Sequence, residues 1–150
     1  MAPFPVDSIV SVFANITLAK EAMAKEAGLN LSQYMTMLLV GASRTLSCKD
    51  LKDNLDLPGS STTFVLDSLE DKGLISRIRS KRDRRQYLIE LTPDGDNLCR
   101  KAMQAETERA DKILGTLTSE ERLTFFKIAN SLSQAAMHKK MVKLTPTVLR

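Results

Sequence analysis

The chain has 150 residues, 43% of them hydrophobic and 27% charged, with a formal net charge of +4 at pH 7. That length fits one domain with a core of its own, and the composition is that of an ordinary folded protein. No apolar run approaches the roughly 18–20 residues of a membrane span, and Met1-Ala-Pro-Phe-Pro5 lacks the basic and apolar regions of a secretion signal, so a cytoplasmic protein away from membranes is expected.

In chain order, a first helix is predicted from Asp7 or Ser8, with Ile9, Phe13, Ile16 and Met23 at helical spacing and Gly28 as the stop. A second follows Ser32 and carries Tyr34, Met35, Leu38 and Leu39, weakening at Gly41 and Ser43. Ser47-Cys-Lys-Asp50 is a cap with an acid three residues on, near the capping-box pattern. The helix it opens is short, because Pro58-Gly59 cannot lie inside it. Another runs from about Ser60 to Lys72, buries Val65, Leu66 and Leu69, and ends at Gly73. Two short helices about four residues apart make a helix-turn-helix.

The period then changes. Residues 74–79 and 86–91 suit two strands, and the basic segment Ser80–Arg85 joins them at a hairpin tip. Thr92-Pro93 opens a helix reaching Leu114 and Gly115, and the full capping box Thr118-Ser-Glu-Glu121 opens a last one through Phe125, Ala129, Leu132 and Ala136. The expected order is α-α-α-α-β-β-α-α. The fold class is mainly α with a small β-hairpin wing: a winged helix-turn-helix between long terminal helices.

Charge is unevenly spread. Residues 77–85 hold six cations (Arg77, Arg79, Lys81, Arg82, Arg84, Arg85) and one acid, Asp83, a balance of +5, so the other 141 residues sum to −1. A solvated loop explains a scattered charge run, but a cluster this dense on a near-neutral protein suits a polyanion. The second helix of a helix-turn-helix enters the major groove by its N-terminal end. Here that end offers Ser60, Ser61, Thr62 and Thr63, whose hydroxyls and helix N–H groups suit phosphate, although capping alone accounts for such residues too. Arginines of the wing can reach the minor groove, and Asp83 can hold a neighbouring arginine in place. The expected DNA contacts are therefore Ser60, Ser61, Thr62, Thr63, Lys81, Arg82, Asp83, Arg84 and Arg85 on double-stranded DNA.

Leu57-Pro-Gly-Ser-Ser-Thr-Thr-Phe-Val-Leu-Asp-Ser-Leu-Glu-Asp-Lys-Gly-Leu-Ile75, then Asp83-Arg84-Arg85 and Leu91-Thr-Pro-Asp-Gly95, resemble the MarR family of winged-helix regulators. Leu31-Ser-Gln-Tyr34 resembles the usual start of its second helix. The resemblance implies a homodimer built on the terminal helices and an effector pocket between that stem and the DNA-binding part, often for aromatic compounds. It divides the chain into an N-terminal arm and dimerisation helix (1–30), a winged helix-turn-helix (31–98) and C-terminal dimerisation helices (99–150). Met23, Tyr34, Met37 and Leu38 are candidates to line the pocket, though apolar residues at this spacing more often form core. The sequence departs from the pattern at Pro58, which replaces the usual cap serine, and at Gly59, Phe64 and Ser68, often basic in the family. No Lys or Arg occurs from Asn54 to Asp71, whereas Asp56, Asp67, Glu70 and Asp71 do. Weight accordingly shifts to the wing and to hydroxyl contacts.

Cys48 and Cys99 are too few for a disulfide framework or a zinc site and read as ordinary thiols. A redox switch at Cys48, in the first turn of a helix, is the sharper alternative. Oxidant sensors of the family carry a reactive cysteine in the first helix, where this chain has none. The only histidine, His138, has no nucleophile partner in the sequence, and GxxxxGK[ST], GxGxxG and HExxH are absent, which argues against an enzyme; no cofactor is expected. The reading is a sequence-specific regulator, a repressor on a palindromic operator. Its rival is a winged-helix protein-interaction module that lost its operator, supported by the acidic, cation-free second helix.

Overall fold

The computed structural model describes residues 6–55, 59–80 and 85–137. The first helix, α1 (Val6–Glu26), ends where Gly28 takes φ +69°, a conformation open to glycine without penalty. The second, α2 (Leu31–Ser43), starts two residues before the expected point. Asn30, rather than Ser32, is its cap: the Asn30 Oδ1 accepts from the Gln33 N–H, and Gln33 Oε1 accepts from the Asn30 N–H, each at 2.9 Å. It is also the centre of the molecule, with Gln33, Tyr34, Thr36, Met37 and Val40 all buried.

At Arg44 the backbone takes φ +63° and turns directly into a strand, β1 (Thr45–Ser47). That strand was not expected from the sequence. The turn into it carries no glycine or proline, and three residues show no alternation. Ser47 then caps α3 (Cys48–Leu55) as predicted, its Oγ accepting from the Asp50 N–H at 3.1 Å while Asp50 Oδ2 accepts from the Ser47 N–H at 3.0 Å.

Helix α4 (Gly59–Asp71) ends at Gly73, again with φ +69°. Strands β2 (Ile75–Arg79) and β3 (Tyr87–Leu91) form the antiparallel hairpin, from Ile75 opposite Leu91 to Arg79 opposite Tyr87. β1 pairs with the other edge of β3, Leu46 opposite Ile89, giving the sheet order β1-β3-β2. The order along the chain is therefore α-α-β-α-α-β-β-α-α, one strand more than expected.

Two long helices finish the described chain, α5 (Pro93–Leu114) and α6 (Ser119–Met137). Thr92 caps α5 and anchors its start to the wing: Thr92 Oγ1 donates to the Gly73 carbonyl at 2.6 Å and the Thr92 N–H to the Leu74 carbonyl at 3.1 Å. Gly95 must be glycine here, because a Cβ would fall 1.9 Å from the Leu74 oxygen. Leu-Thr-x-x-Gly is thus a device for seating α5 on the base of the hairpin. Tyr34, Met37, Val40, Leu51, Leu66, Leu69, Ile75 and Ile89 make the core, all at most 2% exposed. The terminal helices are different. Val10, Ile16 and Leu18 on α1, Ile113 on α5, and Leu123, Phe125, Phe126 and Ile128 on α6 are between 47% and 63% exposed. No helix among the described residues is long and apolar enough to cross a membrane.

Candidate nucleic-acid interface

Helix α4 has two faces. Thr62, Val65, Leu66 and Leu69 recur at helical spacing and are buried; Gly59, Thr63, Phe64, Asp67 and Glu70 are exposed. Thr62 therefore departs from the expected set of contacts: at 2% exposure it belongs to the core stripe and offers nothing to a groove. Thr63 is on the open face, with its hydroxyl donating to the Gly59 carbonyl at 3.1 Å, and Ser61 is half-buried. Ser60 lies in the first turn, its side chain outside the described set.

The acids of the helix have a partner that sequence reading missed. Arg77, on β2, reaches across with its guanidinium to Glu70 at 2.8 Å and to Asp67 at 2.5 Å. Its side chain is 26% exposed, and the two carboxylates hold its pKa even above the ordinary arginine range, against the opposing effect of burial. Arg77 is thus no part of a free basic cluster. It ties the wing to α4 and neutralises charge there. The signal for this lies in two segments at once, an Asp-x-x-Glu helix face and an inward-leaning arginine ten residues after the aspartate.

Arg79 and Arg85, the other described cations of the wing, are exposed. Arg79 stacks over the Tyr87 ring, 5.8 Å from its centroid, and Ser80 N–H donates to the Gln86 carbonyl at 2.9 Å to close the last rung. Arg85 is exposed at the end of the turn. Lys81, Arg82, Asp83 and Arg84 lie outside the described residues. At the opposite end, the α4 N-terminus gains a cation from α3: a Cβ on Gly59 would stand 3.2 Å from Lys52 Nζ. Lys52 was not among the expected contacts. Helix N–H groups and an ammonium at one spot suit a phosphate, because the helix dipole disfavours an uncompensated cation there.

The candidate effector residues gather at the junction of α1, α2 and α5. Met23, Tyr34 and Met37 are buried in the core and Leu38 is half-buried against it. Beside them Lys20 Nζ pairs with Glu106 Oε1 at 2.8 Å, and the Tyr34 hydroxyl donates to the same oxygen at 3.4 Å. Burial, then the nearby Glu106 charge, push the Tyr34 pKa up to about 12. Of the thiols, Cys99 is buried, which raises its pKa, and Cys48 is half-buried. No group of three or more His, Cys, Asp or Glu able to hold a metal occurs among the described residues.

Comparison with known proteins places this arrangement. Residues 29–87 match the model of the MarR family. The organic hydroperoxide resistance transcriptional regulator of Bacillus subtilis is 41% identical over 71 residues, 47% of this chain and 48% of that protein, so the match spans about half its length. The crystal structure of NadR in complex with 4-hydroxyphenylacetate superposes with a TM-score of 0.69 at 25% identity, over 88% of this chain and 93% of that one. Streptococcus pneumoniae FabT, solved in complex with DNA, gives a TM-score of 0.76 at 23% identity, over 88% and 94%, a likeness of fold. Its winged helix-turn-helix, residues 29–87, is thus that of the MarR family, whose members are transcription regulators rather than enzymes, and the helix layout around it is similar to that of solved structures of the same fold.

Proposed function

We propose that this chain is a cytoplasmic, sequence-specific transcriptional repressor that binds a palindromic operator as a homodimer and is modulated by a small aromatic effector. The observation that carries the reading is the Arg77 clamp. It links α4 to strand β2 of the hairpin, so a helix for the major groove and a basic wing for the adjoining backbone would meet DNA together. Lys52, Ser60, Ser61 and Thr63 supply phosphate and groove contacts at one end, and Lys81, Arg82, Asp83, Arg84 and Arg85 the wing contacts at the other.

The exposed apolar side chains of α1, α5 and α6 support the dimer. So much unburied Leu, Ile and Phe on three terminal helices is costly in water and is covered by a second copy of the same helices. A two-fold dimer requires half-sites about one helical turn apart. Seated there, it blocks access to a promoter. The rival reading as a protein-interaction module is weakened at two of the four acids that suggested it, Asp67 and Glu70, which Arg77 engages. For the effector, the proposed lining is Met23, Tyr34, Met37 and Leu38, next to Lys20, whose ammonium would exchange Glu106 for the carboxylate of an aromatic acid.

Fluorescence anisotropy with the purified full chain tests the reading, using duplexes from upstream of its own gene titrated at several salt concentrations. A steep log–log salt dependence with a preference for one inverted repeat is expected. Salt-insensitive or sequence-indifferent binding, or a monomer by light scattering, would overturn it.

A further inference from the structure

We infer that Phe64 is a specificity-determining residue that packs on the C5-methyl group of a thymine in the major groove, so that each half-site is chosen for a thymine at that step. The inference rests on the DNA-binding reading above. Phe64 is 69% exposed, the most exposed large apolar side chain on the protein's described surface, and it stands beside Thr63 on the open face of α4. The exposed apolar residues of α1, α5 and α6 form the faces already assigned to the dimer. Phe64 lies on a different element and joins none of them.

The chemistry around it narrows the occupant. Guanine is read in the major groove by bidentate arginine or lysine, and adenine by asparagine or glutamine. From Gly59 to Asp71 the helix has none of these four residue types. The Thr63 hydroxyl proton is already given to the Gly59 carbonyl, and the two carboxylates farther along are held by Arg77. Among the described side chains, the exposed ones on the N-terminal half of the open face are therefore a phenyl ring and a threonine methyl, with the Ser61 hydroxyl half-buried and the Lys52 ammonium at the helix end, by Gly59. Among base edges in that groove only thymine shows an apolar group, its C5-methyl, which makes apolar contact with Phe and with the Thr methyl.

The probe is a duplex enriched by the full-length protein from a randomised 24-base-pair library, resynthesised with deoxyuridine replacing thymidine one position at a time in both half-sites. This substitution removes the methyl and keeps the pairing. At one step the wild-type protein should lose about fifteenfold in affinity, roughly fourfold for each methyl withdrawn from apolar contact. Phe64→Ala should bind the thymidine and deoxyuridine duplexes equally well, and Phe64→Leu should recover part of the discrimination. Circular dichroism and melting temperature should be unchanged, since the ring is exposed. A wild-type protein indifferent to deoxyuridine everywhere, or a Phe64→Ala protein that discriminates as strongly as wild type, overturns this inference while leaving operator binding intact. Failure of any sequence to enrich overturns it together with the DNA-binding reading.

Discussion

Gly41 of α2 and Cys99 of α5 touch so closely that a Cβ on Gly41 would lie 2.4 Å from the Cys99 sulfur. The sulfur is buried and leans on the Met37 carbonyl at 3.8 Å, so it has no open side to swing toward. This contact sets the distance between the central helix and the long helix that leads into the C-terminal stem.

Gly41→Ala reports on that contact through its sign. In a helix interior alanine is favoured over glycine by about 1 kcal/mol. Here overpacking against the sulfur, of about 1–3 kcal/mol, should outweigh that and make the variant less stable in urea. In a Cys99→Ala background the same change should become neutral or stabilising, since the obstructing atom is gone. Additive losses in the double variant would show that the helices do not meet at this point.

Arg77→Met separates the two roles of the arginine. All three charged groups are partly exposed, so stability should fall by only about 1 kcal/mol. DNA affinity should fall about tenfold or more, because Asp67 and Glu70 then face the phosphates bare. Adding Asp67→Asn and Glu70→Gln should restore most of the affinity if neutralisation is the main role. If affinity stays low and amide exchange in β2–β3 stays fast, holding the hairpin in place is the greater role. Unchanged affinity in Arg77→Met would mean that the clamp has no part in binding.

Tyr34 makes stability fall at alkaline pH. Its pKa rises from about 10 to about 12 on folding, so the folded chain holds the phenol proton more tightly than the unfolded one does. The associated stability is fully present below pH 10 and is lost as pH rises through 12. Unfolding free energies from pH 9 to 12 should drop by on the order of 2 kcal/mol on this account. Tyr34→Phe should flatten that slope while leaving the Lys20–Glu106 pair in place. A slope identical in the variant would assign the alkaline loss to other groups.

What the sequence displayed and what it concealed follow from how far apart the partners lie. Caps are local: Ser47 with Asp50, Thr118 with Glu121, Thr92 ahead of Pro93, and the stops at Gly28 and Gly73 all stand where the residues predict. The wing strands are near-local and fall within a residue of expectation. Strand β1 exists because β3, more than forty residues on, supplies its partner groups; nothing within Thr45-Leu-Ser47 announces it. Arg77 carries the same lesson for the interface. Counted along the chain it belongs to a basic run, and only the packing of β2 beside α4 turns it toward two acids. Thr62 went astray for a subtler reason. Its type suits a groove, but its phase with Val65, Leu66 and Leu69 puts it inside.

The wing and the recognition helix should contribute differently to binding, and a salt titration separates them. Arg84→Ala combined with Arg85→Ala removes four cations from a dimer. If each neutralises one phosphate, the slope of log affinity against log salt should shrink by about 3–4, with a large loss of affinity at low salt. Thr63→Ala removes a hydroxyl whose proton already serves the Gly59 carbonyl, leaving only its lone pairs and methyl for DNA. Its slope should match wild type and its affinity should fall by less than about fivefold for each half-site, the worth of one neutral contact in each. Anisotropy titrations of both variants on one duplex measure the two quantities together. Equal losses, or an unchanged slope in the double arginine variant, would place the phosphate contacts elsewhere on the protein, with Lys52 beside the α4 N-terminus the first residue to substitute next.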